Sequence, residues 1–166
     1  MTGTVRGLHV NPEGGVPKHP VQHLIVGYEG CQGDKQNDRK HHGGPQRAVC
    51  LMETWVLKRL QDEGHPIHPG STGENMLITG TQPGDLSVGA RLVVGSVVLE
   101  LTGDAPPCRT IQASFTEGSF RNLSHKRVSG QTRWYARVVE PGTVRLNDDV
   151  RVLSACLLYT SDAADD

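Results

Sequence analysis

Glycine and proline punctuate this chain at short intervals, contributing 20 and 10 of its 166 residues. Proline removes a backbone donor and glycine weakens the interior of helices and strands. A sequence broken this often supports short strands and turns better than long helices. Between the breaks lie β-branched and apolar runs. Residues 4–10 predict a first strand and residues 21–28 a second, with a Gly/Pro-rich loop over 11–20 between them. Residues 75–79 predict a short strand. Residues 91–94 and 97–101 predict a hairpin joined by Gly95-Ser96, the Gly-X pattern of a type II′ turn. Residues 102–107 read as a break after it, and 111–120 as a short helix or irregular segment. Residues 133–139 and 144–152 predict the last strands, separated by Pro141-Gly142. A single substantial helix is expected over 48–63. Met52, Trp55, Val56, Arg59 and Leu60 supply its apolar stripe, and Gly64 and Pro66 its stop. The expectation is a mainly β, α+β domain: a β-barrel with an appended helix.

The length suits one domain, placed over residues 1–154. The formal net charge of −1 gives no global basic field, so nucleic-acid binding is not expected. Charge is uneven, however. Residues 109–140 hold six Arg/Lys against two Glu, which points to an anionic ligand at that end. The four cysteines, at 31, 50, 108 and 156, form no C-x-x-C pair. Their scatter, with no leading apolar run, predicts a cytoplasmic protein. No segment approaches the roughly 20 apolar residues of a membrane span, so no membrane partner is expected. Residues 155–166 do not continue the strand pattern and read as a tail outside the fold.

The richest chemistry lies in the loop over 30–45. Its His41-His42-Gly43-Gly44-Pro45 is followed by the apolar Ala48 and Val49, which anchor it. Paired glycines let a backbone approach a ligand closely. Adjacent histidines in extended chain point to opposite sides, so one faces the ligand while the other braces the loop. With no C-x-x-C pair, a zinc enzyme is disfavoured. Pro106-Pro107-Cys108-Arg109 is loop text, and a cation beside Cys108 favours its thiolate, a soft ligand or a nucleophile. Cys50, in an apolar run, reads as core. Lys18 is a further cation on a loop. Asn75, in Gly73-Glu74-Asn75, has an amide able to donate to and accept from a heterocycle. His65 and His68 read as loop polarity.

Taken in order, these segments resemble the MOSC domain, the C-terminal module of molybdenum cofactor sulfurases, in its small stand-alone bacterial form. The resemblance rests on Gly33-Asp34, on residues 41–45 with Ala48-Val49, on residues 70–75, and on Val88-Gly89-Ala90. It continues through Pro107-Cys108, Trp134-Tyr135-Ala136-Arg137-Val138 and Pro141-Gly142. It implies a barrel-like β fold with a cationic cleft for the molybdenum cofactor (Mo-molybdopterin). It implies that Cys108 is the family's cysteine, a molybdenum ligand and catalytic residue. Lys18, Arg47 and Arg109 would hold the pterin phosphate, Asn75 the heterocycle, and His42 with Gly43 the cradle. The implied activity is molybdenum-dependent reduction of N-hydroxylated small molecules with an external reductase as electron donor. The alternatives are a sulfur carrier with a Cys108 persulfide, serving metal–sulfur cluster assembly, and a cofactor-binding module without turnover. The family also carries an association with pyridoxal phosphate. The chain departs from the pattern at Asn147, where glycine is expected before Asp148, and after Pro141, where a helical extension is missing.

The tail reading has a direct test. Truncation after Leu153 should leave the thermal midpoint nearly unchanged, as read by differential scanning fluorimetry. A drop of several degrees would place Leu157 and Leu158 in the core.

Overall fold

The computed structural model describes residues 2–35 and 44–153; His41, His42, Gly43, Cys156 and the proposed tail lie outside them. The described chain runs through β1 (Thr2–Val10), β2 (His19–Pro20), β3 (His23–Gly27), β4 (Gly30–Cys31), β5 (Val49–Glu53), α1 (Thr54–Asp62) and β6 (Met76–Ile78). It continues through β7 (Arg91–Val94), β8 (Val97–Ala105), β9 (Arg133–Glu140), β10 (Gly142–Arg145) and β11 (Asp149–Leu153). Seven strands close into a barrel in the order β1-β11-β7-β8-β9-β5-β6 and back to β1, with β2 added beside β1. A small sheet, β10-β3-β4, flanks it. The expected barrel is therefore present. All its pairings are antiparallel except β5 with β6, which are parallel and connected through α1.

Closure depends on the pairing of β1 with β11, where Gly3 lies opposite Val150. A Cβ built on Gly3 would collide with the backbone oxygen of Thr79. The strand can approach β6 there only because the residue is glycine.

The barrel interior holds Val5, Leu8, Leu51, Met76, Ile78, Leu92, Leu99, Leu101, Trp134 and Ala136. A second apolar cluster lies outside the wall. It joins Met52 and Leu77 to Val56, Leu57 and Leu60 of α1 and to Ile111, Phe115 and Leu123. Leu51 thus packs inward and Met52 outward, so β5 is buried on both faces. That overturns the expectation of a helix starting at Ala48. A strand covered on both sides reads as a continuous apolar run, and such a run mimics a helix start. The helix begins at Thr54. It ends as expected, with Gly64 at φ 94°, the His65 amide donating to the Leu60 carbonyl and the Gly64 amide to that of Gln61. These two bonds form a Schellman cap. Arg59 lays its guanidinium over the Trp55 ring, 4.8 Å from the centroid.

The hairpin of β7 and β8 forms as expected, with Val94 opposite Val97. Residues 102–107 do not break it. β8 runs on to Ala105, because a register shift between Leu101 and Gly103 absorbs the glycine. Residues 109–122 form three 3-10 turns. Residues 144–152 divide into β10 and β11, and Asn147 sits between them at φ 71°. Asparagine adopts that left-handed backbone more readily than other side-chain-bearing residues, so it stands in for the expected glycine.

The closure argument predicts that Gly3→Val lowers stability by about 1–3 kcal/mol, a typical cost of forcing atoms into a packed site. Urea denaturation followed by circular dichroism would show it as a lower midpoint.

Candidate functional site

Strand alternation fixes which side chains face the site. In β5 and β9, Leu51, Trp134 and Ala136 join the barrel interior. Cys50, Arg133 and Tyr135 therefore face out. Cys50 lies opposite Tyr135, and Gly103 of β8 also pairs with Tyr135. Against this outer wall rests a cavity of about 850 Å³. Its lining includes Cys50, Tyr135, Arg133, Arg47, Lys18, Lys35, Gly73 and Cys108. Four of these are cations. Asp104 is the carboxylate among the described lining residues.

Arg133 is 5% exposed. Its Nη1 donates to the Thr72 carbonyl at 2.7 Å, and its Nη2 donates to the carbonyls of Pro106 at 3.1 Å and Ala105 at 3.3 Å. One guanidinium thus ties two loops to the wall. Its Nε is buried without a hydrogen-bond partner. No carboxylate pairs with Arg133 among the described residues, and its guanidinium lies in the cavity lining.

Lys18 is held by an acid. Its Nζ lies 2.5 Å from Asp34 Oδ2. The same oxygen accepts from Asn75 Nδ2 at 2.8 Å, while Asp34 Oδ1 accepts from the Asn11 amide at 2.9 Å. The Lys18 amide donates to the Gly70 carbonyl at 2.8 Å. Gly70 has φ 85°, and a Cβ there would meet the Lys18 carbonyl. The glycine therefore permits the contact that seats Lys18.

The structure places Asn75 outside the cavity lining, fully buried. Its Oδ1 accepts from the Cys50 amide at 3.0 Å, and its Nδ2 donates to the His9 carbonyl at 3.2 Å as well as to Asp34. Both amide protons are occupied within the protein, so Asn75 organises the wall where the sequence suggested a ligand contact. Arg47, at the end of the single turn Pro45–Arg47, lies in the lining with its guanidinium 5.5 Å from the Tyr135 ring centroid. Arg109 is exposed and outside the lining. His42 and Gly43 lie outside the described residues.

Cys108 is half-buried, with its Sγ 2.7 Å from Thr110 Oγ1. Cys50 is buried, as expected for core, yet it also lines the cavity. Burial pushes the Cys50 thiol upward and that of Cys31 up to about 12. Burial likewise pushes the Tyr135 phenol upward. At neutral pH the Cys50 thiol and the Tyr135 phenol remain protonated, neutral walls among cations. Arg133, Tyr135 and Lys35 were not singled out as site residues from sequence. The signal for the first two was the alternation Arg133-Trp134-Tyr135-Ala136, whose odd members all leave the core.

Residues 38–151 match the MOSC domain. The chain is 26% identical over 144 residues to the uncharacterized protein YflK of Bacillus subtilis (strain 168), covering 86% of this chain and 64% of YflK. It therefore spans less than two thirds of that relative. It is 22% identical over 158 residues to protein YiiM of Escherichia coli (strain K12), covering 92% of this chain and 70% of YiiM. Among solved structures, the YUAD protein from Bacillus subtilis aligns with a TM-score of 0.71 at 18% identity, covering 92% of this chain and 96% of that one. YiiM from Escherichia coli aligns with a TM-score of 0.66 at 20% identity, covering 93% and 70%. These structures share the fold.

Differences in exposure among the thiols predict their order of alkylation. Cys108 should react with iodoacetamide at neutral pH at least about tenfold faster than Cys31 or Cys50, which are buried and held as thiols. Peptide mass spectrometry over a time course measures this directly.

Proposed function

Because the chain belongs to the MOSC domain family, we propose that its cavity binds the molybdenum cofactor and that the protein reduces N-hydroxylated small molecules with electrons from an external reductase. The observation that carries this reading is the pairing of a soft donor with buried positive charge. Cys108 lines a cavity whose wall holds Arg133, buried, with an unpartnered Nε and no carboxylate partner among the described residues. A thiolate suits a soft metal, and clustered cations suit a phosphate-bearing pterin. The residues present therefore fit the group.

Cys108 would contribute its Sγ as a metal ligand. Lys18, Arg47 and Arg133 would hold the anionic part, with Lys18 positioned by Asp34. Asn75 would act through Asp34 and Cys50, as a positioning residue. Gly43 and His42 precede Arg47 closely in sequence and remain in the proposal as the cradle, and Arg109 as the charge next to Cys108. When bound, the cofactor supplies a metal that exchanges two electrons. Converting R–NHOH to R–NH2 and water consumes two electrons and two protons. The external donor provides the electrons. The Tyr135 phenol and the Cys50 thiol, both kept protonated, can donate hydrogen bonds to the departing oxygen. No helix among the described residues is long and apolar enough to cross a membrane, and the reading places the reaction in the cytoplasm.

A sulfur carrier is the second reading. It is favoured by Cys50 and Cys108 lining one cavity, where a persulfide on Cys108 would have a thiol nearby.

Serine nearly matches cysteine in size but is a hard, weakly acidic ligand. Cys108→Ser should fold with a parent-like melting temperature and lose most of its molybdenum after loading, whereas Cys50→Ser should retain it. Metal analysis and turnover of an N-hydroxylated base with a chemical reductant test both. Full metal content and turnover in Cys108→Ser would exclude the ligand role. A transferable sulfur on Cys108, with no molybdenum bound by the parent, would favour the carrier.

A further inference from the structure

The excess of positive charge over residues 109–140 is only partly used by the cavity. Arg133 is spent on backbone carbonyls. Arg137 pairs with Glu100, its Nε donating to Oε2 at 2.6 Å. Arg121, Lys126 and Arg127 have no ion pair among the described residues, and all three are exposed. They nevertheless converge. Together with Ser124 and Pro107 they line a second depression, of about 390 Å³. Three like charges brought around one concavity repel one another, a cost that an anion between them would relieve. Arg121 is steadied by the Phe120 ring, 5.3 Å from its guanidinium carbon. Pro107 is the residue common to both linings, so this depression adjoins the main cavity one residue from Cys108.

We infer that Arg121, Ser124, Lys126 and Arg127 form an anion subsite for a phosphate monoester whose uncharged part lies in the main cavity. Two guanidinium forks, an ammonium and a hydroxyl match the three oxygens of a dianionic phosphate. A concave depression of this size favours such a group over an acidic protein face. The inference deepens the reductase reading, and rests on it, by making the N-hydroxylated substrate a nucleotide-like phosphate ester. The same chemistry could come from the pterin phosphate of the cofactor, so the test separates the two sources.

Cofactor-free protein is titrated calorimetrically, at low salt, with an N-hydroxylated nucleoside and with its 5′-monophosphate. The parent should bind the monophosphate at least about tenfold more tightly. Arg121→Ala combined with Arg127→Ala, and separately Lys126→Glu, should shrink that preference to within about twofold while leaving the melting temperature unchanged. Parent-like molybdenum content in the loaded double variant then assigns the subsite to substrate. No preference in the parent, with molybdenum lost in the double variant, assigns it to the cofactor's own phosphate. Equal affinities in the parent with parent-like metal in the double variant, or a preference that survives the substitutions, overturns the inference. Phosphate-dependent binding without any turnover by the loaded parent sinks the reductase reading and leaves the subsite standing.

Discussion

A guanidinium buried against the outer wall of the barrel must be hydrogen-bonded, or the wall around it cannot close. Leaving such a group unpaired costs several kcal/mol, on the order of the whole stability of a small domain. Arg133 binds three carbonyls, those of Thr72 in one loop and of Ala105 and Pro106 where β8 passes into the next. The loops are therefore fixed by the charge they solvate. One carries Gly70 to Asn75, and the other carries Cys108. The charge is hydrogen-bonded through both Nη atoms and has no carboxylate partner among the described residues, which leaves a fixed positive centre beside a partly open cavity. That is the condition for binding an anion without reorganising the protein at the moment of binding.

A second polar junction does comparable work on the opposite loop. The Asp34 carboxylate gathers the Lys18 ammonium, the Asn75 amide and the Asn11 backbone amide. Lys18 is thereby held in one position, with its charge partly balanced. Of the cavity's four cations, Lys18 is thus paired with a carboxylate while Arg133 is held by carbonyls alone among the described residues.

Much of the barrel was legible in sequence because most of its strands sit between glycines and prolines and show β-branched runs. In the hairpin of β7 and β8, the first strand and the turn were read as they stand, while β8 runs four residues past its expected end. The helix start was not legible. Val49 to Glu53 are buried on both faces, so the alternation that marks a half-buried strand is absent. Among site residues, Cys108 was legible from the prolines that exclude it from a core element, and Lys18 and Arg47 do line the cavity. Asn75 was read as a ligand contact, but both of its amide protons are taken up within the protein, and hydrogen-bond partners 66 and 41 residues away cannot be read from spacing. Arg133 was missed as a site residue for the same reason: its partners are carbonyls, which every sequence has everywhere.

The site lies on the outside of a strand whose inner face is the barrel core. Successive residues of β9 consequently answer to different demands: Trp134 and Ala136 pack the barrel, while Arg133 and Tyr135 line the cavity. Point substitutions can therefore retune the cavity while the interior stays as it is. Insertions and deletions have no such freedom. A single residue added at the start of β9 would exchange the two sets, sending a guanidinium into the barrel and an indole into the cavity. Divergence of this architecture is open to changes of letter and closed to changes of length along that strand.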